Sequence, residues 1–73
     1  MVDYSKGRYS VRTPDGGFIG LIDEDEFVRN GLSLLYRVDG DELYEVAGRF
    51  VGHIEDGVVR ATSGEVKFII EAE

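Results

Sequence analysis

Phe18-Ile19-Gly20-Leu21-Ile22-Asp23 returns at a spacing of sixteen residues as Leu34-Leu35-Tyr36-Arg37-Val38-Asp39, then as Phe50-Val51-Gly52-His53-Ile54-Glu55, then as Val66-Lys67-Phe68-Ile69-Ile70-Glu71. Within each copy the apolar residues recur every second position, the period of a strand and not of a helix. Taking alternate residues gives Phe18-Gly20-Ile22, Leu34-Tyr36-Val38, Phe50-Gly52-Ile54 and Val66-Phe68-Ile70, columns that only glycine interrupts. These read as the buried face. The residues between them (Ile19, Leu35, Val51, Lys67, and Leu21, Arg37, His53, Ile69) are mixed, as on the partly wet face of an antiparallel sheet. A first strand in each unit is marked by Val11, Phe27, Leu43 and Val59, a further inward column whose outward neighbours are Arg12, Val28, Tyr44 and Arg60.

Two kinds of turn separate the strands. Pro14-Asp15-Gly16-Gly17, Asn30-Gly31, Ala47-Gly48 and Ser63-Gly64 carry the glycine that tight hairpins need for positive φ. The joins between units are acidic: Asp23-Glu24-Asp25-Glu26, Asp39-Gly40-Asp41-Glu42 and Glu55-Asp56-Gly57, with Glu71 and Glu73 ending the last unit. The expectation is an all-β fold of four 16-residue hairpins, about eight short strands, closed around a pseudo-four-fold axis so that no edge is left exposed. Capping repeats of an open solenoid are missing, since the first and last units keep the full apolar columns. Around the ring Gly20, Tyr36, Gly52 and Phe68 alternate small with large, which predicts two glycines making space for two aromatics.

Seventy-three residues allow one small domain. Residues 9–73 form it, and residues 1–8 are an arm outside the repeat, mobile or added to a sheet edge, with Tyr4 as its anchor. Without cysteine there is no disulfide frame or thiolate metal cage, and a cytoplasmic location is the default. No apolar run approaches the roughly 20 residues of a membrane helix. A net charge of −7 disfavours nucleic acid and anionic membranes as partners.

Few residues suggest chemistry. His53 is the sole histidine, and strand alternation gives Glu55 and Asp56 no reason to orient it as a base. Ser10, Ser33, Ser63, Thr13 and Thr62 have no base at the spacing of a nucleophile motif, and no helix follows Gly16-Gly17 to make it a phosphate loop. No catalytic residue, metal ligand or cofactor is assigned, and the chain reads as no enzyme. Tyr44, with Arg12 and Arg60 at equivalent places, could stack an anionic ligand, but the four positions bear three residue types. Two surfaces remain as candidates. Asp23, Glu24, Asp25, Asp39, Asp41, Glu42, Glu55 and Asp56 would gather at one pole of a closed ring, solubilising it, steering a basic partner or holding a cation. Ile19, Leu35 and Val51 on the outward face would need cover from neighbouring strands or from a second copy in a homo-oligomer.

The sixteen-residue period, the glycine hairpin turns and the hydrophobic-Gly-x-Ile-acidic signature of Phe18 to Asp23 and Phe50 to Glu55 resemble the four-fold beta flower domain. In that small bacterial family four β-hairpins stand like petals about a pseudo-four-fold axis. The resemblance covers Tyr9 to Ala72, and Tyr36 and Phe68 depart from it where the signature has glycine. It implies a fold and a bacterial-type origin, and it carries no functional residues. The function expected is therefore a non-catalytic protein-interaction module. The alternative is a small-molecule or cation-binding domain that uses axial space beside Gly20 and Gly52, or the acidic turns.

Overall fold

The computed structural model describes residues 4–73. Eight strands follow in order: β1 (Arg8–Arg12), β2 (Phe18–Asp23), β3 (Phe27–Asn30), β4 (Ser33–Asp39), β5 (Glu42–Glu45), β6 (Phe50–Glu55), β7 (Val58–Arg60) and β8 (Val66–Ala72). Each pairs antiparallel with its neighbour in sequence, and β8 returns to β1 through Tyr9↔Ala72, Ser10↔Glu71, Val11↔Ile70 and Arg12↔Ile69. The all-β sheet is thus a closed barrel, in which every described strand has a paired neighbour on both sides. Its four repeat hairpins turn at one end of the barrel, here the tip end. The acidic joins lie at the other.

Val11, Ile22, Val38, Leu43, Ile54, Val59 and Ile70 fill the core as the columns predict. The column nearest the tips does not. Phe18 is 50% exposed, Leu34 42% and Phe50 37%. The cause is a slip in register at the same place in every hairpin. Val11↔Gly20 is followed by Arg12↔Phe18, Val28↔Tyr36 by Arg29↔Leu34, Leu43↔Gly52 by Tyr44↔Phe50, and Val59↔Phe68 by Arg60↔Val66. Each slip skips one residue (Ile19, Leu35, Val51 and Lys67), and such a bulge reverses the facing of everything beyond it. Phe18, Leu34, Phe50 and Val66 therefore share the outward face with their partners Arg12, Arg29, Tyr44 and Arg60. Ile19 and Val51 pack against the core instead of standing on the wet face. Bulges also bend strands sharply, which a barrel of such short strands needs in order to close.

The second unit holds a further correction. Val28 is fully buried and Phe27 only half-buried, so the inward residue of β3 is Val28 and its outward neighbour is Arg29. Ile22 pairs with Val28 across an acidic join one residue longer than those between Val38 and Leu43 or Ile54 and Val59. The backbone records the same insertion. Ile54 N–H donates to Asp41 and Ile70 N–H to Gly57, but Val38 N–H donates to Glu26 where the repeat would put residue 25. Asp25 holds the extra residue in place, its carboxylate accepting from the Phe27 amide at 3.1 Å and from Arg29 Nε at 2.8 Å.

The hairpin that follows is shortened to compensate. In the other three, the amides of Thr13, Glu45 and Ala61 donate to the carbonyls of Gly17, Arg49 and Glu65. The amides of Gly16, Gly48 and Gly64 return to the carbonyls of Thr13, Glu45 and Ala61, all at 2.7–2.9 Å. Those glycines have φ of +98°, +106° and +92°. The second hairpin closes with Asn30↔Ser33 around the two residues Gly31-Leu32. Insertion and deletion cancel, and the sixteen-residue period survives.

Tyr36 and Phe68 meet with ring centroids 5.2 Å apart. Gly20 and Gly52, however, are buried against neighbouring backbone and not against those rings. A Cβ on Gly20 would sit 3.0 Å from the Arg29 carbonyl carbon, and one on Gly52 would sit 2.7 Å from that of Arg60. The glycines admit the next hairpin's first strand.

Of the arm, residues 1–3 lie outside the described residues. Tyr4 is buried in the core cluster, edge-on to Tyr9 with centroids 4.9 Å apart, and Gly7 C=O accepts the Glu24 amide at 3.0 Å. Arg8 already belongs to β1. The described part of the arm therefore closes the acidic end of the barrel and extends no sheet edge. Burial, with Tyr9 adding to it, pushes the Tyr4 phenol above its ordinary pKa.

Candidate functional site

Antiparallel topology gathers the acidic joins at one end, and four of the eight candidate carboxylates there are engaged by local partners. Asp23 lies 3.6 Å from Arg8 and Asp39 3.6 Å from Arg37, while Asp25 is taken up by Arg29. Burial raises the Asp25 pKa, but the Arg29 guanidinium and the Phe27 amide outweigh it and hold the carboxyl below its usual range. Glu42 accepts the Tyr44 hydroxyl at 2.8 Å and stands 3.9 Å from His53 Nδ1. Glu24, Asp41, Glu55 and Asp56 are exposed. Among the described residues no three carboxylate or imidazole groups converge where a metal ion could sit.

His53 has its acidic neighbour across the sheet and not along the chain, since Glu42 and His53 are paired residues. Glu42 lies eleven residues from His53 along the chain, so spacing alone does not reveal it as a partner. Phe50 makes T-shaped contacts with both His53 and Tyr44, with centroids 5.1 and 5.5 Å apart, and the Arg37 guanidinium lies 5.0 Å from the Tyr44 ring centre. Its hydrogen bond to Glu42 raises the Tyr44 pKa. These side chains make a small polar-aromatic patch on the outer wall of β4, β5 and β6.

The tip end differs in kind. Phe18, Leu34 and Phe50 are exposed beside it, Val46 is 48% exposed, and Leu32 at the second turn is wholly exposed. With β3 in its corrected register, the outward residues paired with the tip column are Arg12, Arg29, Tyr44 and Arg60, three arginines where Val28 had seemed to break the set. The Arg12 guanidinium lies 5.7 Å from the Phe18 ring centre. The Arg29 guanidinium turns back to Asp25, but Arg49 and Lys67 also belong to this half, against only Asp15, Glu45 and Glu65, so a slight positive excess here faces a strongly negative far end. Thr13 donates to Asp15, and with the Gly17 amide it lowers the Asp15 pKa.

Next to the third hairpin the tip end is slightly hollowed. Leu35, Tyr36, Glu45, Val46 and Ala47 line a shallow, open groove of about 390 Å³. A second hollow of about 260 Å³ adjoins it at Tyr36 and Glu45 and continues past Phe50 and Val51 to Phe68. Leu35 and Val51, expected on an outward patch, thus wall these hollows. Ile19 packs against the core. The axial space expected beside Gly20 and Gly52 is taken by the backbone of β3 and by the strand end at Arg60.

No helix among the described residues is long and apolar enough to cross a membrane. Compared with models of protein families, with curated proteins and with solved structures, the chain matches none. Its own geometry therefore carries the functional reading.

Proposed function

We propose that the protein is a non-catalytic interaction module of the beta flower kind that meets another protein through its tip end. The observation that carries this reading is the exposure of Phe18, Leu32, Leu34, Val46 and Phe50 at one end of so small a barrel. Large apolar side chains exposed around one end, with arginines among them, are the composition of a binding surface more than of an idle one. The acidic end serves a different purpose. Its carboxylates keep the protein soluble and repel anything negative from that side, so approach is favoured at the tips.

A photo-reactive phenylalanine analogue placed at Phe18 or Phe50 tests the reading in the cells that make this protein. Cross-links to a defined protein from these positions, with none from Glu24 at the opposite end, are the expected result. Equal labelling from both ends, or none from either, would sink it.

A further inference from the structure

The partner's identity can be pressed further, on the footing that the tip end is the binding surface. Leu32 occupies the place in its hairpin where the sixteen-residue period sets Gly16, Gly48 and Gly64 in the other three. Because the second turn is only two residues long, this leucine projects from the barrel, and none of its side chain is covered. The adjoining hairpin supplies an apolar place for it. Over β4 and the β5–β6 turn, which the Val46 amide and the Leu35 carbonyl join at 3.4 Å, lies the shallow, open groove of about 390 Å³, with Leu35, Tyr36, Val46 and Ala47 as its apolar lining. Knob and groove lie on neighbouring hairpins at the same end of one chain.

We propose that two copies of the chain pair tip to tip, the Leu32 of each entering the β4/β5–β6 groove of the other. A two-fold contact requires that a surface carry both the inserted group and its receptor, and these two hairpins do. Charge permits a second copy at this end and opposes one at the other. Pairing through the tips holds the two acidic ends as far apart as the molecules allow. The tip half bears both signs, Arg12, Arg49, Arg60 and Lys67 with Asp15, Glu45 and Glu65, and so can face its own kind without uniform repulsion. A strongly acidic end could not.

Sedimentation equilibrium on the full chain over a concentration series tests this. Dimer is expected to form with rising concentration. Leu32→Ser should raise the dissociation constant on the order of a hundredfold, because each dimer loses two buried leucines. The substitution removes no contact within the monomer, so the melting temperature of the dilute protein should not change. Val46→Asp should weaken pairing from the groove side. A mixture of the two variants should recover part of it, since one knob and one groove remain intact. Monomer throughout, up to about 1 mM, would overturn the proposal, and so would a dimer indifferent to both substitutions. If the tip cross-linkers capture a different protein while the chain stays monomeric, this inference fails and the interaction reading stands.

Discussion

The barrel alternates between two kinds of hairpin, and their difference shows how four copies of one pattern can close on a single axis. In the first and third, β2 and β6 carry Gly20 and Gly52, and the following strand comes close enough that its carbonyl carbon would lie at or within 3.0 Å of an added Cβ. In the second and fourth, β4 and β8 carry Tyr36 and Phe68 at the same place, and these rings pack on each other. The joins follow suit. β4–β5 and β8–β1 pair over four residues each, β6–β7 over three and β2–β3 over two. Where glycine stands the strands pinch together, and where an aromatic stands they run on side by side.

Breaking the pinch should cost most. Gly52→Ala and Gly20→Ala each drive a Cβ into backbone that cannot rotate away, and each should destabilise by roughly 3 kcal/mol or more, at the upper end of overpacking effects. For a chain this short that is a large share of total stability. A denaturant melt within about 0.5 kcal/mol of wild type would show that the close approach is not real. The aromatic side of the comparison is softer. Phe68→Leu keeps an apolar side chain in a half-buried place and loses the ring pairing with Tyr36, for about 1–2 kcal/mol. A loss as large as that of Gly52→Ala would mean that the rings, and not the pinch, set the barrel's width.

Much of this was legible in the residues. The period of sixteen gives four hairpins, and the apolar columns at Ile22, Val38, Ile54 and Ile70 are the core they appear to be. The alternation of glycine with aromatic is visible too, although its physical cause is neighbouring backbone, which no pattern along one strand can report. Two features escaped. A bulge leaves apolar residues on both sides of the slip, so Phe18 and Ile19 are equally plausible core residues until the closed sheet fixes their facing. The slipped register of β3 left a trace that can be read afterwards: glycine falls at 16, 48 and 64 but at 31 instead of 32, and Phe27 and Val28 are both apolar. The polar-aromatic patch around Glu42 depended on pairing between strands and lay beyond any spacing rule. The exposure of the tip apolar residues follows from the bulges and was hidden with them.

Hairpin two offers a milder way to sharpen the comparison. Gly31 has φ of +64° with open space around it, so an added methyl meets nothing and only the backbone conformation resists. Gly31→Ala should therefore cost about 1 kcal/mol, the penalty of the left-handed region alone, and clearly less than Gly20→Ala. Equal losses would mean that strain, and not contact, explains both glycines.

The smallest effect concerns the inserted residue that moves β3 out of step. Asp25 is held below its ordinary carboxylate pKa against an opposing effect of burial, chiefly by Arg29 and then by the Phe27 amide. A group whose folded pKa lies below its unfolded value lends stability that is present above the unfolded value. That stability is lost as pH falls through the folded one. The contribution should thus be whole at neutral pH and fade below about pH 4. The pair lies near the surface, so water and salt screen it and its worth should stay under about 1 kcal/mol. Asp25→Asn should lower stability by a few tenths of a kcal/mol at pH 7, and this deficit should shrink as acid protonates the aspartate and the ion pair is given up. Its partner variant Arg29→Gln should do likewise, and the double variant should cost less than the two single losses added together, because both remove one interaction. If the deficit of Asp25→Asn persisted unchanged in acid, the carboxylate would not be what secures the long turn, and the shifted register of β3 would rest on the burial of Val28 alone.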